Sequence, residues 1–289
     1  MKEYEYKLKQ AQQFENEGKQ LHALQIYVQL LEKEESYRVA SIRIALVYEK
    51  LKMIGKAYEI LDKYLAGNSE DEEVRKFYGH FLIRQSNYAR ALDVLSGVST
   101  EDDSDVFFLL GLSNFHLGEN RIGQINFESF IKCNPKSDLI PESYLYLSKI
   151  NLKTSEYDIA LEYAKKSESF LSQNYETHST QAMIYYKKEM YFHALDAVKR
   201  ALTLNKEDVS LLELAGRIHY QLGEFKKAEE YLKEYVVATE PSSEVLALLG
   251  MTFLNNENHK EAERCFGKAL KIDPTNQLAN KGLEKNQPK

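Results

Sequence analysis

Between Leu246 and Pro274, apolar residues recur at steps of three and four on both sides of a polar break. The run Leu246-Ala247-Leu248-Leu249-Gly250-Met251-Thr252-Phe253 precedes Asn255-Asn256-Glu257-Asn258; Ala262, Cys265, Phe266 and Ala269 follow it. A period near that of the α-helix on either side of a turn-forming cluster predicts two amphipathic helices joined by a tight turn. The second helix ends before Asp273-Pro274, because proline disfavours α geometry in its predecessor and cannot continue a helix.

The pattern recurs through the chain. Stepping back from Ala262, small residues stand at Ala228, Ala194 and Ala160 in steps of 34, at Gly123 after 37, at Ala91 after 32, and at Ala57 and Ala23 after 34 each. Twelve positions before each of these eight anchors lies another small residue: Ala11, Ala45, Gly79, Gly111, Ser148, Ala182, Gly216 and Gly250. Four positions after each lies an apolar one: Tyr27, Leu61, Leu95, Phe127, Ala164, Val198, Leu232 and Phe266. Small residues let two helices approach where they cross, and large neighbours fill the space around the crossing. One hairpin cannot bury its apolar faces alone, so consecutive hairpins must stack.

At these residues the chain resembles the tetratricopeptide repeat family, whose period is the same. Leu249-Gly250, Ala262, Phe266 and Pro274 match its pattern, while Leu246 stands where the family prefers Trp and Phe253 where it prefers Tyr. The chain has no Trp, and the terminal proline survives only at Pro135 and Pro274. The resemblance implies an all-α fold: a right-handed α-solenoid, or superhelix, of about eight helix-turn-helix repeats with a C-terminal capping helix. The repeats run 4–37, 38–71, 72–103, 104–140, 141–174, 175–208, 209–242 and 243–276, with 277–289 as the capping segment of a single solenoid domain spanning 1–289. Leu278 and Leu283 cover the end of the stack in this reading, and Lys281, Glu284 and Lys285 face water.

Two irregularities stand out. The second helix of the third repeat is cut short by Gly97 and an acidic run. The longer step after Gly123 places Lys136-Ser137-Asp138-Leu139-Ile140 between Pro135 and Pro141, either a hinge or a rigid extended turn, with Pro141 suited to the first turn of the next helix.

Composition narrows the picture in a few places. Five prolines and thirteen glycines in 289 residues leave no long disordered segment. Much of the net charge of −6 sits in Glu70-Asp71-Glu72-Glu73 and Glu101-Asp102-Asp103-Ser104-Asp105, both before helices, where capping is the expected role. Most of the twenty tyrosines, among them Tyr27, Tyr48, Tyr64, Tyr185 and Tyr235, fall at packing positions. The first residues enter a helix without an apolar leader, and no apolar run approaches the length of a membrane span. Cys133 and Cys265 lie in different repeats without metal-ligand spacing. These features lead us to expect a cytoplasmic protein with reduced thiols and no membrane insertion.

Motifs for catalysis are absent from the sequence: no zinc-protease helix, nucleophile elbow, phosphate loop or Cys-x-x-Cys pair occurs. His219 takes a first-helix packing position and is expected to be a satisfied core or edge residue. The expectation is therefore a non-enzymatic chain with no cofactor and no metal. Helical repeats that bind RNA need a basic groove to meet phosphates, and this acidic chain with irregular steps is expected to bind no nucleic acid.

The remaining reading is a protein-interaction adaptor or scaffold that holds a partner peptide in a concave groove. The alternative is a structural module that stacks through its solenoid ends. In the family that the chain resembles, first helices line the concave face. The positions turned into it are Phe108, Leu112 and Phe115 in the fourth repeat and Leu145, Lys149, Leu152 and Lys153 in the fifth. Met183, Tyr186 and Lys187 follow in the sixth, and Arg217 and Tyr220 in the seventh. A row of cations alternating with apolar side chains suits an acidic-hydrophobic partner segment. The lysine-and-asparagine set with which chaperone-binding relatives grip a terminal carboxylate is not recognisable in the sequence.

Overall fold

The computed structural model describes residues 3–101 and 103–286, within which all regular structure is α-helical. The helices form consecutive hairpins. The first three are α1 (Glu3–Asn16) with α2 (Gln20–Leu30), α3 (Glu34–Lys50) with α4 (Ile54–Gly67), and α5 (Glu72–Arg84) with α6 (Tyr88–Leu95). Then come α7 (Val106–His116) with α8 (Asn120–Cys133), α9 (Ile140–Lys153) with α10 (Tyr157–Phe170), and α11 (Tyr175–Lys187) with α12 (Tyr191–Leu204). The last are α13 (Val209–Gln221) with α14 (Phe225–Ala238) and α15 (Ser243–Asn255) with α16 (His259–Ile272), followed by α17 (Gln277–Lys285). The chain divides into two compact units, residues 1–135 and 136–289.

Each hairpin closes in the same way. The residue five positions before each anchor has positive φ: Gly18, Lys52, Ser86, Gly118, Ser155, Glu189, Gly223 and Glu257. The following backbone N–H donates five residues back, as Glu224 does to His219 at 2.9 Å and Asn258 to Phe253 at 2.8 Å. This left-handed cap satisfies the carbonyls that the first helix leaves over. It turns the chain by a fixed amount, so every second helix meets its partner in the same register.

That register places the anchors at the helix crossings. Ala23, Ala57, Ala91, Ala160, Ala194, Ala228 and Ala262 are fully buried, and Gly123 is buried too. The residue four after each anchor packs on the small residue twelve before it. A Cβ on Gly79 would lie 2.4 Å from Leu95, one on Gly111 2.9 Å from Phe127, one on Gly216 2.6 Å from Leu232, and one on Gly250 2.5 Å from Phe266. Where Ala164 replaces the bulky partner, Ser148 fills the crossing and its hydroxyl donates to the Ala160 carbonyl at 2.9 Å.

Within each unit the first helices pack on one another as well as on their partners: α3 on α5 and α5 on α7 in the first, α9 on α11, α11 on α13 and α13 on α15 in the second. Consecutive second helices do not pack on one another in this way. Each stack therefore curves with its first helices on the inner side. In the second unit α17 lies on α15 and α16, where Ala279 is buried and Gly282, like Gly250, closely meets the Phe266 ring.

The short α6 has a local cause. Arg75 donates from Nε to the Ser69 carbonyl at 2.6 Å and from Nη1 to the Val94 carbonyl at 3.1 Å, capping the helix end. A Cβ on Gly97 would lie 2.6 Å from that guanidinium, so a larger residue would push Arg75 off this cap. Pro141 occupies the first turn of α9 as expected. The two acidic runs differ. Asp71 caps α5 through the Val74 N–H at 3.1 Å, whereas Asp105 makes no side-chain cap to α7. Lys76 instead draws Asp103 to 2.6 Å and Asp105 to 3.5 Å, and Asp102 lies outside the described residues, as do Met1, Lys2 and 287–289.

Candidate interaction surface

In the second unit the inner face is built from α9, α11 and α13. Leu152, Tyr186 and Tyr220 stand eight positions before their anchors and are half-buried; Met183 is 36 % exposed. Each thus keeps some apolar surface in water on consecutive first helices, and a contiguous row of this kind, unlike scattered exposed residues, marks an interaction face. Tyr186 leans on Tyr191 at 6.0 Å and Tyr220 on Phe225 at 5.5 Å, so both rings are braced from below. Leu145 is buried and belongs to the core beneath this row.

The four cations of this face are not equivalent. Lys149 donates to Glu176 on α11 and lies 5.2 Å from the Tyr146 ring. Arg217 donates from Nε to Glu213 one turn earlier at 2.7 Å. Lys187 and Lys153 are exposed. Burial, with Glu176 nearby, raises the Glu142 carboxyl above its ordinary range, while Lys149 pulls it down. The face is therefore mixed in charge, not the plain basic stripe expected from the sequence. Glu176 and Glu142 were missed because they lie on the turn before the groove positions, a register that spacing within one helix does not single out.

The first unit presents a different inner face. Phe108 is buried with its ring 5.8 Å from Phe127 and 5.4 Å from Phe130, Phe115 is buried, and Leu112 is half-buried. Further along the stack the face is closed by its own ion pairs. Glu15, almost fully buried, accepts from the Tyr27 hydroxyl at 2.5 Å and from Lys50 at 3.1 Å. Glu49 accepts from Arg84 at 2.8 and 3.2 Å and from Gln85 at 2.9 Å. Glu15 and Glu49 stand eight before their anchors, where the second unit carries Leu152, Tyr186 and Tyr220.

His219 behaves as a packing residue. It is buried, its Nδ1 lies 2.6 Å from Glu224, and its ring stacks on Tyr231 at 5.3 Å. Among the described residues no cluster of His, Cys, Asp and Glu is arranged to hold a metal ion, and no helix is long and apolar enough to cross a membrane.

Stacked hairpins with invariant crossings, identical turns and an inner face of first helices define a helical-repeat protein of the α-solenoid class. Residues 243–276 and 180–243 match the tetratricopeptide repeat. These two matches, over residues 180–276, make it a protein that carries tetratricopeptide repeats. It is 21 % identical over 265 residues to the bovine (Bos taurus) BBSome complex member BBS4, a match that covers 91 % of this chain and 50 % of that protein. It is 32 % identical over 97 residues to the mouse (Mus musculus) trafficking protein particle complex subunit 12, covering 31 % of this chain and 12 % of that protein. The chain thus spans about half or less of the length of these relatives. In fold it is similar to a chain of the APC/C hetero-tetramer Cut9–Hcn1, with a TM-score of 0.66 at 15 % identity over 93 % of this chain and 53 % of that one. It is also similar to PilF of Pseudomonas aeruginosa, with a TM-score of 0.63 at 12 % identity over 76 % and 99 % of the two chains.

Proposed function

We propose that this chain is a non-catalytic adaptor that holds a segment of a partner protein against the first helices of residues 136–289. The observation that carries this reading is the row Leu152, Met183, Tyr186 and Tyr220, partly exposed and braced on consecutive helices. Braced aromatics lose little freedom on binding and supply most of the affinity, while Lys187 and its neighbours set orientation and encounter rate. The partner segment is apolar with acidic residues placed to reach Lys153 and Lys187. BBS4 and subunit 12 are named as members of multi-subunit complexes, which supports a scaffolding role. A cytoplasmic setting belongs to the same proposal.

The test begins with a crosslinked partner captured from the native source. Tyr186→Ala with Tyr220→Ala should weaken its binding at least about tenfold, with far-ultraviolet circular dichroism unchanged. Full affinity in that double variant would move the site off this face. The rival is open stacking of solenoid ends. Light scattering that grows steadily with concentration would favour the rival.

A further inference from the structure

On the outer side of each stack, consecutive second helices stand apart, and the gap between them is closed by different side chains. In the first unit, between α4 and α6, Arg90 reaches both Asp62 oxygens at 2.5 and 2.6 Å. Its guanidinium also lies over the rings of Tyr58 and Tyr78 at 5.2 and 5.5 Å. In the second unit, between α10 and α12, Arg200 reaches Glu168 at 2.7 Å, and between α14 and α16 Lys233 lies 5.1 Å from the Phe253 ring.

Between α2 and α4 the closure is incomplete. Arg90 stands one position before its anchor and Asp62 five after the preceding one; the same register between α2 and α4 holds Lys56 and Val28. The cation is kept, and its carboxylate is replaced by a valine that is 47 % exposed. Lys56 lies 5.9 Å from the Tyr48 ring, and Ile44 stands in the register that Tyr78 holds beneath Arg90. What is left is a cleft of about 320 Å³, floored by Ile44 and Tyr48 and walled by Val28 and Ile60. Lys63 adds a second cation to the rim, and Glu59 offsets one of the two.

We infer that this cleft is a second docking site, which takes one bulky apolar side chain from a partner protein together with an adjacent carboxylate. The carboxylate pairs with Lys56 as Asp62 pairs with Arg90, and the apolar side chain covers Val28 and Ile60. The chemistry follows from what the neighbouring gap supplies internally and this one lacks. The site opens between the second helices α2 and α4, so it is distinct from the face proposed above on residues 136–289.

The test uses the full chain with labelled Ile, Leu and Val methyls and a fluorescein-labelled peptide carrying one phenylalanine between aspartates. At about 1 mM peptide, the methyl signals of Val28, Ile44 and Ile60 should shift. A peptide with lysines in place of the aspartates should leave them unmoved. Val28→Asp gives Lys56 an internal carboxylate and should weaken peptide binding about tenfold, whereas Tyr186→Ala with Tyr220→Ala should not change it. Lys56→Glu, at an exposed position, should reverse the preference toward the lysine peptide even if the valine variant folds poorly. Unmoved methyls, equal binding of both peptides, or unchanged selectivity in Lys56→Glu overturns the inference. A dimer that Val28→Asp dissolves without any peptide also overturns it, in favour of a second copy of this chain.

Discussion

Adding one methyl group at Gly250 and one at Gly267 should have opposite effects, although the two glycines lie in paired helices of one hairpin. In both α15 and α16 the change from glycine to alanine favours the helix by about 1 kcal/mol. At Gly267 the new methyl meets nothing within 4 Å, so Gly267→Ala should stabilise the protein by about that amount. At Gly250 the Cβ would sit 2.5 Å from Phe266 Cε1 and 2.7 Å from Cδ1, well inside the ordinary carbon–carbon separation of about 3.5–4.0 Å. The ring is fully buried and closely met by a second backbone, since a Cβ on Gly282 would lie 2.2 Å from its Cζ, so it has little room to retreat. Overpacking a closed crossing costs about 1–3 kcal/mol, and a buried ring held between two helix backbones belongs at the upper end. The helix term cancels between the two variants, so their difference isolates the steric cost at about 3 kcal/mol. Urea unfolding followed by circular dichroism measures it. If the two variants agree within about 0.5 kcal/mol, the crossing is not closed as described. Gly250→Ala combined with Phe266→Leu should recover part of the loss.

The left-handed turn position predicts a second contrast: Glu189→Gly and Glu257→Gly, at φ of 58° and 60°, should each stabilise by about 0.5–1 kcal/mol, and Gly223→Ala should destabilise by a similar amount in thermal melts. Burial acts to raise the Asp208 carboxyl, but hydrogen bonds from Ser210 and Tyr175 outweigh it and hold the group below its ordinary value, while Tyr175 is pushed up to about 12, chiefly by its hydrogen bond to Asp208. A carboxylate lowered on folding stabilises above its unfolded pKa and loses that contribution as pH falls through the folded one. Asp208→Asn keeps a cap but loses the charge, so the slope of urea midpoints below about pH 4 should flatten; an unchanged slope refutes it. Burial pushes the Cys265 thiol up to about 11, so at neutral pH iodoacetamide should label exposed Cys133 first in the native protein, and equal labelling would show that α16 opens. A rigid turn at 135–141 should resist trypsin at Lys136 as long as other exposed lysines do; early cleavage there, releasing two helical halves, would make 135–141 a hinge.

Much of the fold was legible because each crossing uses three residues at fixed spacing, and Gly250, Ala262 and Phe266 carry that geometry on their own. Glycine marks the turns at Gly18, Gly118 and Gly223, whereas Ser86, Ser155 and Glu189 take the same backbone without its usual residue and so leave no signal in the sequence. The candidate face was read less well. Spacing along one helix places Phe108 and Leu145 on the inner side, but their burial depends on Phe127, Phe130 and the core beneath. The pairing of Lys149 with Glu176 joins the first helices of two neighbouring hairpins, and depends on how far those helices are offset. That offset is a property of the stack, not of any one repeat.

The repeated turn has a consequence for how the chain folds. Because every hairpin closes on itself, its crossing joins residues 16 apart, as Gly250 and Phe266 are, and the next interface needs only the adjacent hairpin. Contacts so close in sequence give a low contact order, so little loop entropy must be lost before burial begins. Folding can start in any hairpin and spread to its neighbours. During synthesis each hairpin can form as soon as it is made, without waiting for the distant end of the protein.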